Sequence, residues 1–191
     1  MKKLVRYRGY FFIPLLAFMF LCKWNEYEND PMIWAIGSLL LLVSLSLRIW
    51  ATAYIGRRIP KWIMPHKWDQ KKLVTSGPYS IVRNPLYTAN IIAMLGMCVV
   101  FELLWFLPVT FLYLFALYSM VTRYEEEKLS IKFGEAYLAY KKRVPRWIPR
   151  PDGWHGEVRK IPWGPVLLGE SRSCLLGIFV LVLALFKELY F

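Results

Sequence analysis

Two uncharged runs, Asn84–Phe101 of eighteen residues and Leu103–Thr122 of twenty, are separated by a single charge, Glu102. A helix needs roughly 17–25 apolar residues to cross the hydrocarbon core of a bilayer, so the pair reads as a membrane-spanning hairpin. Lipid offers no partner to exposed backbone N–H and C=O groups, which leaves helices and closed barrels as spanning structures. No segment alternates with the period of two that a barrel strand needs. A third run, Met32–Leu47, has sixteen residues and continues past Arg48 to Gly56. Two shorter runs, Gly9–Cys22 and Ser173–Phe186, have fourteen residues each. They reach spanning length if flanking Lys and Arg side chains snorkel to the interface. The composition is 57% hydrophobic, above the roughly 45–50% of soluble domains. The expected fold is all-α: a polytopic membrane protein of about five transmembrane helices in one membrane-embedded domain. Residues 1–70 would form an N-terminal helical hairpin and interfacial loop, 71–150 a motif region, and 151–191 a linker and C-terminal helix.

Charge placement sets the orientation. Residues 1–9 carry four basic and no acidic residues, residues 48–83 eight and one, and residues 123–160 ten and six. Residues 23–30 are net acidic. Five spans put all three basic segments on one side, which the positive-inside rule assigns to the cytosol together with the N-terminus. Met1-Lys2-Lys3 and the following apolar run imitate a signal peptide, but no small-x-small site follows Cys22. A retained anchor is therefore expected. The net charge of +12 suits anionic headgroups, each cation near the surface gaining about 1 kcal/mol. No zinc-finger, helix-turn-helix or RNP-type motif accompanies it, so no nucleic-acid partner is expected. Cys22, Cys98 and Cys174 lie far apart without metal-ligand spacing, and read as small buried hydrophobes rather than disulfide or zinc ligands. His66 and His155 are lone loop residues with no assigned role, and no metal is expected.

Residues 57–83 form a long loop with Pro60, Pro65, Pro78, Trp62 and Trp68, suited to the headgroup interface. Loops of this length are usually functional. Gly77-Pro78 is expected to stop any helix there. Pro85 can occupy the first turn of the next helix, where its missing N–H costs nothing. The free N–H groups and positive dipole end then face Arg83-Asn84 and can bind a carboxylate. Beyond the hairpin, the helix is expected to continue out of the membrane through residues 123–142. There Leu129, Phe133, Tyr137 and Tyr140 recur at spacings of four, four and three, an apolar stripe against membrane or loop. Glu125 and Glu126 lie about one turn before Leu129, so one or both carboxylates can face the same surface. Gly134 is expected to loosen the helix. Val144–Pro151 is a Pro-rich, basic interfacial linker leading past Trp154 and Trp163. Glu170 and Arg172 read as a cytosolic turn before the last span. Folding the hairpin brings its two polar, aromatic-rich flanks together on one side of a bilayer. That arrangement suits a water-soluble cofactor and a lipid-like substrate.

Gly77-x-Tyr79, then Arg83-Asn84-Pro85-Leu86-Tyr87, the hairpin, and Glu125-Glu126-x-x-Leu129-x-x-x-Phe133-Gly134-x-x-Tyr137-x-x-Tyr140 follow one another in fixed order. This ordered set resembles the isoprenylcysteine carboxyl methyltransferase family and the related phospholipid methyltransferases, over about seventy-five residues. The resemblance implies an integral membrane enzyme using S-adenosylmethionine, with a lipid or lipidated acceptor arriving from within the bilayer. It implies that Lys72, Leu73, Val74, Tyr79, Asn84, Pro85, Leu86, Tyr87 and Glu125 contribute to the cofactor site. Arg83, Asn84 and Glu126 are the candidate catalytic residues, and Arg123 the candidate substrate contact. Two positions depart from the family pattern. Asn84 stands where the family has histidine; it keeps a donor and an acceptor but does not titrate near neutral pH. Prenylcysteine-specific members carry an arginine four residues before the cofactor-contacting glutamate, where this chain has Val121. Arg123, two residues on, points about 200° away on a helix.

Methyl transfer from a sulfonium is an in-line displacement, so the protein must hold the reacting atoms about 3–3.5 Å apart and exclude water. Aromatic faces and carboxylates stabilise cations, which suits Tyr79, Tyr87 and Glu125. A carboxylate acceptor needs no general base, whereas an amine must lose a proton, with Glu126 placed to assist. Prenylcysteine carboxylate is the acceptor by resemblance, and a phospholipid headgroup amine is the alternative. A non-catalytic lipid-binding membrane protein is the reading of another class. On charge alone, Glu125-Glu126-Glu127 is a solvated helix start, Tyr79 and Tyr87 are interfacial anchors, and Arg83 and Arg123 are headgroup contacts.

Overall fold

The computed structural model describes residues 10–22, 31–55, 73–150, 152 and 163–190. These residues are helical or irregular, with no strand among them. After a 3-10 turn at Tyr10–Phe12, the helices are α1 (Ile13–Leu21), α2 (Pro31–Ile55), α3 (Pro78–Ile81) and α4 (Pro85–Val100). A second 3-10 turn, Leu104–Phe106, leads into α5 (Leu107–Phe133), followed by α6 (Glu135–Arg143) and α7 (Trp163–Tyr190). By length and composition, three segments can cross a membrane: Pro31–Ile55, Leu104–Phe133 and Trp163–Glu188. Tyr10–Leu21 and Pro85–Val100 are shorter apolar helices. The five apolar runs of the sequence thus each form a helix, as an all-α membrane protein requires.

Helix ends follow local chemistry. Pro85 opens α4, where a residue without an N–H displaces no hydrogen bond. Gly77-Pro78 opens a helix rather than only stopping one. Gly77 caps the short α3 from φ +62°, and the Ser80 hydroxyl donates to its carbonyl at 2.7 Å. Gly134 breaks the expected long helix completely, since α5 ends at Phe133 and α6 begins at Glu135. Its φ of +52° is a left-handed-region value that glycine adopts without penalty. The last helix already includes Trp163, ten residues before the apolar run that marks it in the sequence.

The chain divides into two compact units. The first comprises Met1–Ser44, Asn90–Tyr124 and Leu175–Phe191. Here α2 and α4 approach through two glycines. A Cβ on Gly37 would stand 2.6 Å from the Val100 side chain, and one on Gly96 would stand 3.0 Å from Leu40 Cβ. Small residues at such crossings let backbones pack closely where lipid provides no hydrophobic drive. Phe18 packs on Phe106 with centroids 4.6 Å apart. Inside the same unit, Asn90 Nδ2 donates to the Tyr118 hydroxyl at 3.0 Å. Glu102, the hairpin-tip charge, is 1% exposed and takes φ +60°.

The second unit comprises Leu45–Ala89 and Glu125–Cys174. Two apolar clusters organise it. Ala51, Ala53, Tyr54, Tyr79 and Val166 form one, with Val74 and Leu86 packed against it. Tyr137, Tyr140 and Val144 form the other, joined by Leu73, Leu129 and Phe133. The aromatic stripe of residues 129–140 thus packs on the loop before α3.

Candidate functional site

Within the second unit, the turn before α4 meets the end of α5. Asn84 is the last residue before α4, and its carbonyl accepts the N–H groups of Tyr87 at 3.0 Å and Thr88 at 3.1 Å. This first turn carries Tyr87 to the acidic helix, where its hydroxyl donates to Glu125 Oε2 at 2.9 Å. A carboxylate offers about four acceptor positions, so one phenol does not saturate it. Tyr79 is buried, and its backbone carbonyl accepts a 2.7 Å bond from the Tyr140 hydroxyl.

Glu126, one residue on, is 3% exposed and gathers cations. Arg146 grips both its oxygens, Nε at 3.0 Å and Nη2 at 2.7 Å, the fork geometry that favours Arg over Lys. Arg83 Nη2 stands 3.5 Å away and Lys141 Nζ 3.8 Å away. Two backbone bonds lace the segments that deliver these cations: Arg83 N–H to the Pro145 carbonyl at 2.9 Å, and Arg150 N–H to the Ile81 carbonyl at 3.0 Å. The Asn84 amide adds a 3.4 Å bond to the Arg146 carbonyl.

The electrostatics follow from burial. Burial pushes the Tyr137 phenol up to about 12, with the neighbouring Glu126 carboxylate adding to the shift. Burial also raises Tyr140, helped by Tyr137 and Tyr79. Both phenols hold their protons near neutral pH. The hydrogen bond to Glu126 raises Arg146 above its ordinary value.

Ten of the twelve candidate residues thus lie together in the second unit: Leu73, Val74, Tyr79, Arg83, Asn84, Pro85, Leu86, Tyr87, Glu125 and Glu126. Lys72 lies outside the described residues, as do His66, His155 and the tryptophans at 62, 68 and 154. Arg123 is exposed and belongs to the first unit.

Sequence reasoning missed Arg146, which stands in a linker with no periodicity to tie it to Glu126. It also missed a buried cluster joining α2 and α7. Glu170 is 0% exposed, which corrects its reading as part of a cytosolic turn. It accepts from Arg48 Nη2 at 3.1 Å, Thr52 at 2.7 Å and Ser173 at 2.8 Å. These bonds satisfy the carboxylate, so the helix extends beneath its apolar run. The available signal was Arg48 itself, because a lone charge inside an apolar span calls for a named partner.

Cobalt-zinc-cadmium resistance protein CzcN of Cupriavidus metallidurans is 31% identical over 135 residues, 71% of this chain and 57% of that protein. Protein-S-isoprenylcysteine O-methyltransferase of Xenopus laevis is 34% identical over 143 residues, 68% of this chain and 48% of that protein. The Rattus norvegicus protein of the same name is 32% identical over 130 residues, covering 66% and 44%. The chain therefore spans about half the length of the curated relatives it matches. No solved structure matches it. The phospholipid methyltransferase family model matches residues 32–136, which is more than half the chain and includes both the Arg83–Tyr87 and the Glu125-Glu126 motifs; the chain belongs to that family.

Proposed function

We propose that the chain transfers a methyl group from S-adenosylmethionine to a lipid or lipidated acceptor at the membrane, with a prenylated cysteine carboxylate as the acceptor. The observation that carries this reading is the Tyr87–Glu125 hydrogen bond of 2.9 Å, which joins the loop motif to the acidic motif. The residues present suit the donor. A buried phenol and a carboxylate meet beside a helix N-terminus, where cationic and carboxylate groups of an amino-acid-like molecule can both be met. S-adenosylmethionine supplies, when bound, a methyl carbon activated by a sulfonium. Tyr87 and Glu125 orient it, with Tyr79, Leu73, Val74 and Leu86 as apolar walls and Asn84-Pro85 setting the helix end. Lys72 is assigned to the same pocket and Arg123 to the acceptor. The N-terminus and the site face the cytosol in this reading, because the basic segments lie on that side.

The bonding of Glu126 bears on the acceptor. Its two oxygens are already held by Arg146, so acting as a general base requires releasing that arginine. A carboxylate acceptor needs no base, which favours methyl ester formation, the activity named in the isoprenylcysteine relatives. Glu126 then works as a positioning residue that holds Arg83 and Arg146 in place. N-methylation of a phospholipid headgroup amine is the second reading, favoured by the family model's description.

The test is incubation of the purified full chain with methyl-labelled S-adenosylmethionine and membrane lipid extract. Base-labile label is expected; base-stable label would move the assignment to the amine. Absence of label, together with no calorimetric binding of S-adenosylhomocysteine by folded protein, would overturn both readings.

A further inference from the structure

A groove of about 450 Å³ opens on the second unit beside the candidate site, between the end of α6 and the chain that follows it. Arg83 lines it, with Lys142, Arg143 and Arg150 among its walls. The Arg83 side chain is 9% exposed. Its Nε and Nη1 are buried and have no hydrogen-bond partner among the described residues; only Nη2 is engaged, with Glu126 at 3.5 Å. Two buried guanidinium donors without acceptors represent a desolvation penalty that a bound oxyanion would offset. Six cations line or adjoin the groove, namely Arg83, Lys141, Lys142, Arg143, Arg146 and Arg150. The carboxylate that pairs with any of them among the described residues is Glu126 alone. The groove thus keeps a surplus of positive charge and a buried fork of donors.

An apolar edge accompanies the charge. Ile148 is 79% exposed and lines the same groove, flanked by Pro149. Cations that read an oxyanion, next to an exposed branched alkyl group, match the two ends of a lipid: phosphate above, glycerol and acyl carbons below.

We infer that this groove binds the phosphate of an anionic phospholipid, with Arg83 as the buried donor, Lys142, Arg143 and Arg150 as the outer clamp, and Ile148 in the acyl region. The site stands on binding geometry alone, so it can fail or hold independently of methyl transfer.

The full chain in non-ionic detergent is titrated with dihexanoyl phosphatidate, dihexanoyl phosphatidylcholine and inorganic phosphate, and binding is followed by native mass spectrometry. Phosphatidate is expected to bind more tightly than phosphatidylcholine or inorganic phosphate. The triple variant K142Q/R143Q/R150Q should lose roughly ten- to a hundredfold in phosphatidate affinity at low salt, from three surface cations. Ile148→Ser should weaken phosphatidate while leaving inorganic phosphate unchanged, which identifies a lipid source. Arg83→Gln is the stronger test if it folds; the triple variant, whose side chains are surface-exposed, decides the matter if it does not. Equal phosphatidate binding by wild type and triple variant would overturn the site. Inorganic phosphate binding as tightly as phosphatidate, with no effect of Ile148→Ser, would overturn the lipid as its ligand.

Discussion

The Tyr87 hydroxyl donates a 2.9 Å hydrogen bond to Oε2 of Glu125, linking residues 38 apart in sequence. The phenol sits on the first turn of α4 and the carboxylate near the end of α5. A hydrogen bond to a charged acceptor fixes the carboxylate's rotamer and is worth about 1.5–3 kcal/mol. Orientation of this kind matters most where a ligand must meet the carboxylate from one direction.

Tyr87→Phe removes that bond while keeping the ring in its buried place. S-adenosylhomocysteine affinity, measured by titration calorimetry, is expected to fall about tenfold, with stability lowered by up to the roughly 1.5–3 kcal/mol of the lost bond. Glu125→Gln should weaken binding further, because the negative charge is lost even though an amide oxygen remains to accept. Unchanged affinity in both variants would remove the pair from the cofactor site.

Glu126 makes a contrasting case, since its buried carboxylate compensates Arg146 and Arg83 at once. Glu126→Gln leaves those guanidinium groups with no opposing charge among the described residues, and is expected to cost about 3 kcal/mol of stability. The double variant E126Q/R146Q should recover part of that loss, since Arg146 no longer stands uncompensated. A double-mutant cycle of melting temperatures in detergent measures the coupling. Additive effects would show that the fork is worth little.

Gly77 takes the unusual φ expected of it beside Pro78, but its close approach to Tyr54 had no signal in the sequence. Its φ of +62° suits glycine, and an added Cβ would stand 2.5 Å from the Tyr54 ring. Gly77→Ala therefore meets both backbone strain and a ring that cannot yield without disturbing the cluster around Ala51, Tyr79 and Val166. About 1–3 kcal/mol of destabilisation is expected, read as a lower melting temperature. In a Tyr54→Ala background, itself destabilised by loss of a core ring, the added cost of Gly77→Ala should be smaller because the clash is gone.

What could be read ahead of the structure was what periodicity and apolar length encode. The five apolar helices, Pro85 as a helix start, and the packing stripe from Leu129 to Tyr140 all follow from local pattern. The motif order also brought Tyr87 towards Glu125 correctly, because a hairpin returns its two ends to one side. Contacts made by irregular chain carry no period. Arg146 reaches Glu126 from a Pro-rich linker, and the Asn84 amide reaches the Arg146 carbonyl, with nothing in spacing to announce either. Glu170 was misplaced for a related reason. A carboxylate near a basic segment looks like surface charge until its partners on another helix are known.

Stability at high pH carries a signature of Tyr137. Its phenol is held at about 12 against an ordinary 10.0, chiefly by burial and then by Glu126. Below pH 10 both folded and unfolded chains keep the proton, so the phenol adds no slope. Between about 10 and 12 the unfolded chain loses its proton while the folded chain retains it, and stability falls as pH rises. Tyr140, raised for the same main cause, contributes with the same sign. Tyr137→Phe is expected to flatten this decline in part, seen as a smaller loss of melting temperature between pH 9.5 and 11 (roughly the lower half of the window). An unchanged pH profile would mean that the phenol is solvated in the folded protein.

The buried pair of Arg48 and Glu170 offers the sharpest energetic test in the second unit. Arg48 contacts Glu170 through Nε at 3.2 Å and Nη2 at 3.1 Å, and Nη2 also meets the Ser173 hydroxyl at 3.0 Å. With Glu170 fully buried and Thr52 bonded to its other oxygen, each charge depends on the other. Glu170→Ala removes the carboxylate facing a guanidinium that is 11% exposed, and about 3–5 kcal/mol of destabilisation is expected. Arg48→Met should be comparably harmful, because it removes the Nε and Nη2 donors from a buried carboxylate. The combined variant R48M/E170L replaces two desolvated charges with packing, and is expected to be near neutral or more stable by about 1–4 kcal/mol. The measurement is the fraction of protein that stays monodisperse in detergent after heating, compared across the four members of the cycle. A double variant as damaged as either single one would mean that the pair specifies how α2 and α7 meet, since packing alone would then have failed to hold them.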